Sequence, residues 1–201
     1  MSRETRQVDV TANLPNTAQL EGELKRHLYR RNYGRVLRST IYTLITVAAV
    51  AILVAVLLLP VLRIYGTSMS PTLTEGNIVI SLKGSTFQTG DVVAFYYNNN
   101  ILVKRVIASA GDWVDIDKDG FVSVNNNMID EPYISDEERS LGETNIRLPY
   151  QVPESRIFVM GDNRATSIDS RNTAVGCVAE EQIVGKIVFC VWPVSDFGWV
   201  K

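Results

Sequence analysis

Three short segments carry the residue types that could make or break an acyl bond. The first is Gly66-Thr-Ser-Met-Ser-Pro-Thr-Leu73. Ser68 is a hydroxyl nucleophile there, and Pro71 stiffens the turn after it, which would aim the hydroxyl and the Ser68 amide at one place. Taken alone, it is a serine-rich turn. The second is Ile101-Leu-Val-Lys-Arg-Val-Ile107. On a strand, Leu102, Lys104 and Val106 share one face and Val103, Arg105 and Ile107 the other. An ammonium between apolar neighbours is poorly solvated, which lowers its pKa. A base useful near neutral pH needs its charged form disfavoured by roughly 3–4 kcal/mol. From this segment alone, a strand lysine whose head reaches water is the plainer reading. The third is Met160-Gly-Asp-Asn-Arg-Ala-Thr-Ser-Ile-Asp-Ser-Arg171. If it is extended, Ser167, Asp169 and Arg171 share a face, and their acid–base pairing suggests a buried polar network. A solvated loop is the alternative.

Other chemistries find less material. Cys177 and Cys190 stand outside any Cys-x-x-Cys pair and are too few for a disulfide framework or a zinc site. They could pair outside the cell or remain buried thiols. Asp115-Ile-Asp-Lys-Asp-Gly120 looks like the start of a calcium loop, but Asn126 stands where the last ligand should be Glu, so a hairpin turn reads better. No metal and no cofactor is expected. The single histidine is His27.

These segments need an element to hold them, and the chain supplies a membrane anchor first. Residues 39–62 carry no charge. The inner nineteen residues, 41–59, would cover roughly 28 Å as a helix, close to a bilayer's hydrocarbon thickness. A cleavable signal peptide fits worse, because the run is too long and a long polar stretch precedes it. Lys25, Arg26, Arg30, Arg31, Arg35 and Arg38 precede the run, and only Arg63 and Lys83 follow closely. Net charge is −2. The basic patch abuts an apolar run, so it reads as a topology signal and not as a nucleic-acid surface. The expectation is a single-pass protein of the cell membrane. Residues 1–38 form a cytoplasmic basic tail, 39–62 the transmembrane helix and 63–201 an extracytoplasmic domain. Residues 1–20 show no periodicity, and 21–38 read as a solvated charge run or a short basic helix. His27 then lies across the membrane from the exported domain. That removes histidine-based catalysis and leaves carboxylates, or a hydroxyl activated by lysine.

The exported domain reads as mainly β and antiparallel. Strand-like runs at 77–82, 91–97, 101–108, 113–116, 121–124, 156–160, 174–179 and 183–192 alternate with Gly and Asn turns. Residues of about 117–153 are acidic and read as a short inserted hairpin or loop.

Together, and in this order, the anchor and the three segments resemble type I signal peptidases, the Ser–Lys proteases that remove signal peptides from exported proteins. The resemblance runs from about residue 35 to about residue 193, and the short insertion is similar to that of the small Gram-positive enzymes. It implies a catalytic Ser68 and Lys104, with Ser167 orienting the lysine. It makes Asp169 with Arg171, and Asp162 with Arg105, supporting ion pairs. It implies the Ser68 amide as one oxyanion donor. Many Gram-negative relatives carry a serine where this chain has Gly66, so the second donor in the Gly66 region is open. The resemblance further implies preprotein signal peptides with small residues at −1 and −3 as substrates. Their chain would lie between the segment before Ser68 and the strand of Lys104. The lipid bilayer would be a partner, and a secretion translocase stays open as another. Trp192, Phe197 and Trp199 suit a lipid interface or ordinary core packing equally. A pilus- or conjugation-processing peptidase of the same family, or a non-catalytic tethered relative, are the alternatives.

Overall fold

In the computed structural model, which describes residues 16–84, 86–136 and 138–200, Thr17–Leu58 form one helix, α1. The chain divides into two compact units, residues 1–54 and 55–201. The apolar part of α1 has a mean hydropathy of 2.8 over eighteen residues, long and apolar enough to cross a membrane. None of its side chains is buried, as would be expected of a helix whose apolar surface faces lipid rather than protein. Two expectations change. The basic run is helical and continuous with the apolar run. The helix stops at Leu58, short of 62, because Pro60 cannot donate a helical hydrogen bond and the chain turns into a strand. Residues 1–15 of the basic tail lie outside the described residues.

The second unit is built from antiparallel strands. The larger sheet holds β1 (Val61–Arg63), β2 (Ile78–Leu82), β3 (Val92–Tyr97), β4 (Asn100–Ala108), β9 (Arg156–Met160), β10 (Val178–Ala179) and β11 (Ile183–Trp192). Its order is β1-β2-β11-β3-β4-β9-β10, with β12 (Gly198–Trp199) paired to β11. The smaller sheet has the order β7-β6-β5-β8, from β5 (Trp113–Ile116), β6 (Val122–Val124), β7 (Asn127–Met128) and β8 (Tyr150–Gln151). β-branched residues dominate the long strands, where they pack well on a pleated surface. The β3–β4 hairpin turns on Asn98 and Asn99, both at positive φ, as a tight two-residue hairpin requires. Between β5 and β6, the Asp117 carboxylate accepts the amides of Asp119 and Phe121, so the acidic run is a side-chain-capped turn.

Three apolar clusters form the core. Ile107, Val114, Ile116, Val122, Phe158 and Met160 join the two sheets. Ile64, Met69, Leu73, Val79, Val92 and Ile187 seat the segment around Ser68. Val93, Phe95, Val106, Ile157 and Val159 fill the third. Each such side chain, fully buried, contributes roughly 1.5–3 kcal/mol.

The region of about 117–153 is less of an appendage than its composition suggests. It supplies strands of the second sheet, and Ile134 and Val152 are buried. The 174–179 run is mostly turn, with only Val178–Ala179 paired to β9. Cys177 and Cys190 are free, buried thiols in different clusters. Trp192, Phe197 and Trp199 are 55%, 61% and 75% exposed, so core packing does not account for them.

At Gly185, where β11 pairs with β2, a Cβ would stand 2.6 Å from the Leu82 carbonyl oxygen, closer than real Cβ atoms approach backbone. Gly185→Ala should therefore cost roughly 1–3 kcal/mol as overpacking. The check is a lower urea midpoint with an unchanged m-value.

Candidate active site

Ser68 is carried on the chain between β1 and β2. Met69 and Leu73 are almost fully buried, at 2% and 1% exposure, and the Leu73 amide donates to the Met69 carbonyl at 2.8 Å. These anchors fix the turn and leave Ser68 half-buried at its rim. Lys104 lies in the middle of β4, directly across from Val93 of β3. Leu102 and Val106, two residues away on either side, pack in the same cluster as Val93, so the lysine shares an apolar face. Lys104 is 3% exposed, and its Nζ lies 2.6 Å from Ser68 Oγ. Two residues 36 apart in the chain are thus within one hydrogen bond. Among the described residues, Lys104 forms no salt bridge. Burial drives its ammonium down, with the Arg171 guanidinium pushing the same way and the Asp169 and Asp162 carboxylates opposing. The balance is a pKa lowered to about 8.

The carboxylates that could have captured the lysine are engaged elsewhere. Asp162, 1% exposed, accepts Arg105 Nε at 2.8 Å and Nη2 at 2.6 Å. Arg105 also donates to the Gly90 carbonyl at 2.7 Å and to Thr72 Oγ1 at 3.2 Å, on the turn that follows Ser68. Asp169, fully buried, accepts Arg171 Nε at 2.9 Å and Nη2 at 2.8 Å, and the Gly161 amide at 2.9 Å. Burial works to raise the Asp169 carboxyl, but these hydrogen-bonded partners outweigh it and hold the group below its ordinary value. Both pairs are two-pronged, the geometry in which arginine holds carboxylate best.

The chain from Gly161 to Arg171 is drawn against Ser68. The Asn163 amide donates to the Ser68 carbonyl at 3.1 Å. At Gly161 a Cβ would collide with Ser167 Oγ and the Ser68 carbonyl, so only glycine allows this approach. Ser167 is buried against Gly161, and its hydroxyl closes no hydrogen bond with Lys104, Asp169 or any other described residue. It lies near enough to Asp169 to favour the ionised carboxyl there. Gly66 sits at φ +81°, with open space where a Cβ would stand. A serine would find room but a strained backbone.

Beside Ser68 runs a groove of about 650 Å³, lined on one side by 61–66 and on the other by 99–103. Both walls are strand edges. Among the described residues nothing pairs with the outer edge of β1, and β9 joins β4 only from Arg105 onward. An extended peptide entering there could add main-chain hydrogen bonds to either wall.

Glu131, Tyr133 and Arg139, all in the acidic insertion, carry no signal in the sequence. Glu131, from the acidic insertion, is buried with Arg164, which grips its carboxylate, and with Arg139, 2.6 Å from it. Tyr133 donates to Glu131 at 3.1 Å, and its ring lies 3.7 Å from the Arg105 guanidinium carbon. Acids in a loop-like stretch gave no signal of burial. Among the described residues, no group of three His, Cys, Asp or Glu is placed to hold a metal ion.

The model of the family described as signal peptidase, peptidase S26, matches residues 37–192. Signal peptidase IB of Staphylococcus aureus is 38% identical over 152 residues, covering 67% of this chain and 78% of the relative. Signal peptidase I of Bacillus licheniformis is 33% identical over 165 residues, covering 73% and 88%. Thylakoidal processing peptidase 1, chloroplastic, of Arabidopsis thaliana is 36% identical over 146 residues, covering 64% of this chain but only 41% of that longer protein.

The depressed lysine has a cost that can be measured. Between a pKa of about 8 folded and 10.5 in the open chain, the unfolded state binds more protons, so stability should rise with pH across that window. Below it the full penalty applies, roughly 3 kcal/mol. Lys104→Met should therefore raise the melting temperature at pH 7 by several degrees, with the gain over the parent shrinking towards pH 10. Thermal denaturation at both pH values checks this.

Proposed function

This chain belongs to the signal peptidase family, peptidase S26, whose members are serine peptidases that cleave signal peptides, and on that premise we propose that Ser68 is its nucleophile and Lys104 its general base. The observation that carries the assignment is the 2.6 Å approach of Lys104 Nζ to Ser68 Oγ in an apolar setting. Neutral Lys104 takes the Ser68 proton as Oγ attacks the carbonyl carbon of the scissile bond. The negative charge that develops on the carbonyl oxygen faces the Ser68 amide in the Gly66 region. The lysine then passes its proton to the departing amine, and the C–N bond breaks to leave an acyl ester on Ser68. A water molecule, deprotonated by the same amine, attacks the ester, and the proton returns to Ser68 Oγ. Ser167, buried beside Gly161 and Asp169, is assigned to orient the amine. Arg105–Asp162 and Arg171–Asp169 hold the walls of the site.

The substrate in this reading is a preprotein held extended in the groove, with small side chains at −1 and −3 and its backbone paired to β1 and β4. The protein sits in the cell membrane through α1, residues 1–38 in the cytoplasm and 63–201 outside, which the arginines before residue 41 support.

Cleavage of a model preprotein with Ala at −1 and −3 tests the chemistry, a Phe at −1 being the uncleaved control. Ser68→Ala should abolish turnover with the fold intact by circular dichroism. Lys104→Arg should lose at least roughly 10²–10⁴-fold, because guanidinium stays protonated. Ser167→Ala should lose less, and His27→Ala nothing. The active lysine is the neutral one, so the rate should climb with pH and level off above about 8. Wild-type turnover by folded Lys104→Arg protein would exclude the mechanism.

Orientation has its own test. Protease added to intact cells stripped of their wall should digest the 63–201 domain, and full protection of that domain would reverse the topology.

A further inference from the structure

The buried carboxylate of Glu131 has no part in the proton transfers above, yet it is more heavily engaged than any other side chain of the acidic insertion. It is 3% exposed and takes hydrogen bonds from Arg164 through both terminal nitrogens, from Arg139 and from the Tyr133 hydroxyl. Isolated, such a buried acid would be costly, and with three donors it is well satisfied. The direction of the grip is what matters. Arg164 follows Asn163, whose amide holds the Ser68 carbonyl. Asp162, on the other side of Asn163, is clamped by Arg105, and Arg105 is in turn covered by the Tyr133 ring. The residue that touches the nucleophile's backbone is therefore fixed on both flanks, one flank by Glu131 directly and the other through Tyr133.

We propose that Glu131 is a positioning residue for the nucleophile, setting the place of Ser68 through Arg164 and the Asn163 amide. The inference deepens the Ser68–Lys104 reading and rests on it. Glu131 lies outside the groove lining. Its loss should therefore misplace Ser68 without altering how the peptide is held. Nor does it figure among the charges that set the Lys104 amine, so the pH at which the rate levels off should stay where it is.

The test uses the full-length protein in detergent. Glu131→Gln should lower kcat roughly 10- to 100-fold with KM and the pH profile unchanged, the size expected when a reacting atom is misplaced by a fraction of an ångström to an ångström. Ser68-dependent hydrolysis of p-nitrophenyl acetate, which bypasses the groove, should fall by a similar factor. Because two guanidiniums without their carboxylate can prevent folding, a second variant pairs Glu131→Gln with Arg164→Met, removing one charge of each sign. If Glu131 only stabilised the fold, this folded double variant would regain activity. If it positions Ser68, the kcat and ester rates stay low while the melting temperature recovers. Wild-type kcat and ester rates in either folded variant would overturn the proposal. Should the parent protein itself leave the preprotein intact, the signal-peptide reading fails, and the ester rates still decide the place of Glu131.

Discussion

An ammonium in water is held by hydration that no single protein contact replaces, so a lysine is taken out of solvent only where its charge is cancelled or given up. Lys104 is drawn towards the second route, its pKa lowered to about 8. Its strand places it across from Val93 and between Leu102 and Val106, and among the described residues no carboxylate forms a salt bridge with it. Had Asp162 or Asp169 turned towards the amine, the charged form would have been stabilised and the lysine's pKa raised. Each is instead held in a two-pronged bond by an arginine of its own. The depressed lysine, the serine beside it and the two ion pairs are consequences of one constraint on where negative charge is allowed to sit.

That arrangement explains why so many arginines are buried in so small a domain. Arg105, Arg164 and Arg171 are each at or below 1% exposure. Burying such groups rarely stabilises a fold relative to apolar residues of the same size. Their value here is geometric, since a planar guanidinium fixes its carboxylate in position and in orientation. Arg171 donates onward to the Leu141 carbonyl and Arg105 to that of Gly90, so each pair also ties the 161–171 segment to a separate stretch of chain.

The strands were legible because alternation and turn chemistry act over a few residues. The Asn98-Asn99 hairpin and the β5–β6 turn are local, and they lie where the Asn and Gly clusters point. The closeness of Ser68 to Lys104 and the two ion pairs are what the family resemblance implies for these positions, although the face of Lys104 alone left a solvated lysine as the plainer reading. What stayed hidden depends on contacts far apart in the chain. Glu131 looks like any acid in a polar stretch until Arg164, 33 residues on, closes over it. β1 and β8 are too short to show a period, and they exist because β2 and β5 offer partners. The helix boundary was misplaced because hydropathy continues past Leu58 after the backbone has already turned.

The groove between β1 and β4 has two walls made of backbone, each able to bond only chain that has no partner of its own. Polypeptide already in a helix or in a finished sheet has spent its amides and carbonyls and has nothing to offer either wall. If, as proposed, an extended peptide pairs with these walls, the slot would discriminate by timing as well as by side chain, catching a segment in the interval after it becomes accessible and before its neighbours have folded around it.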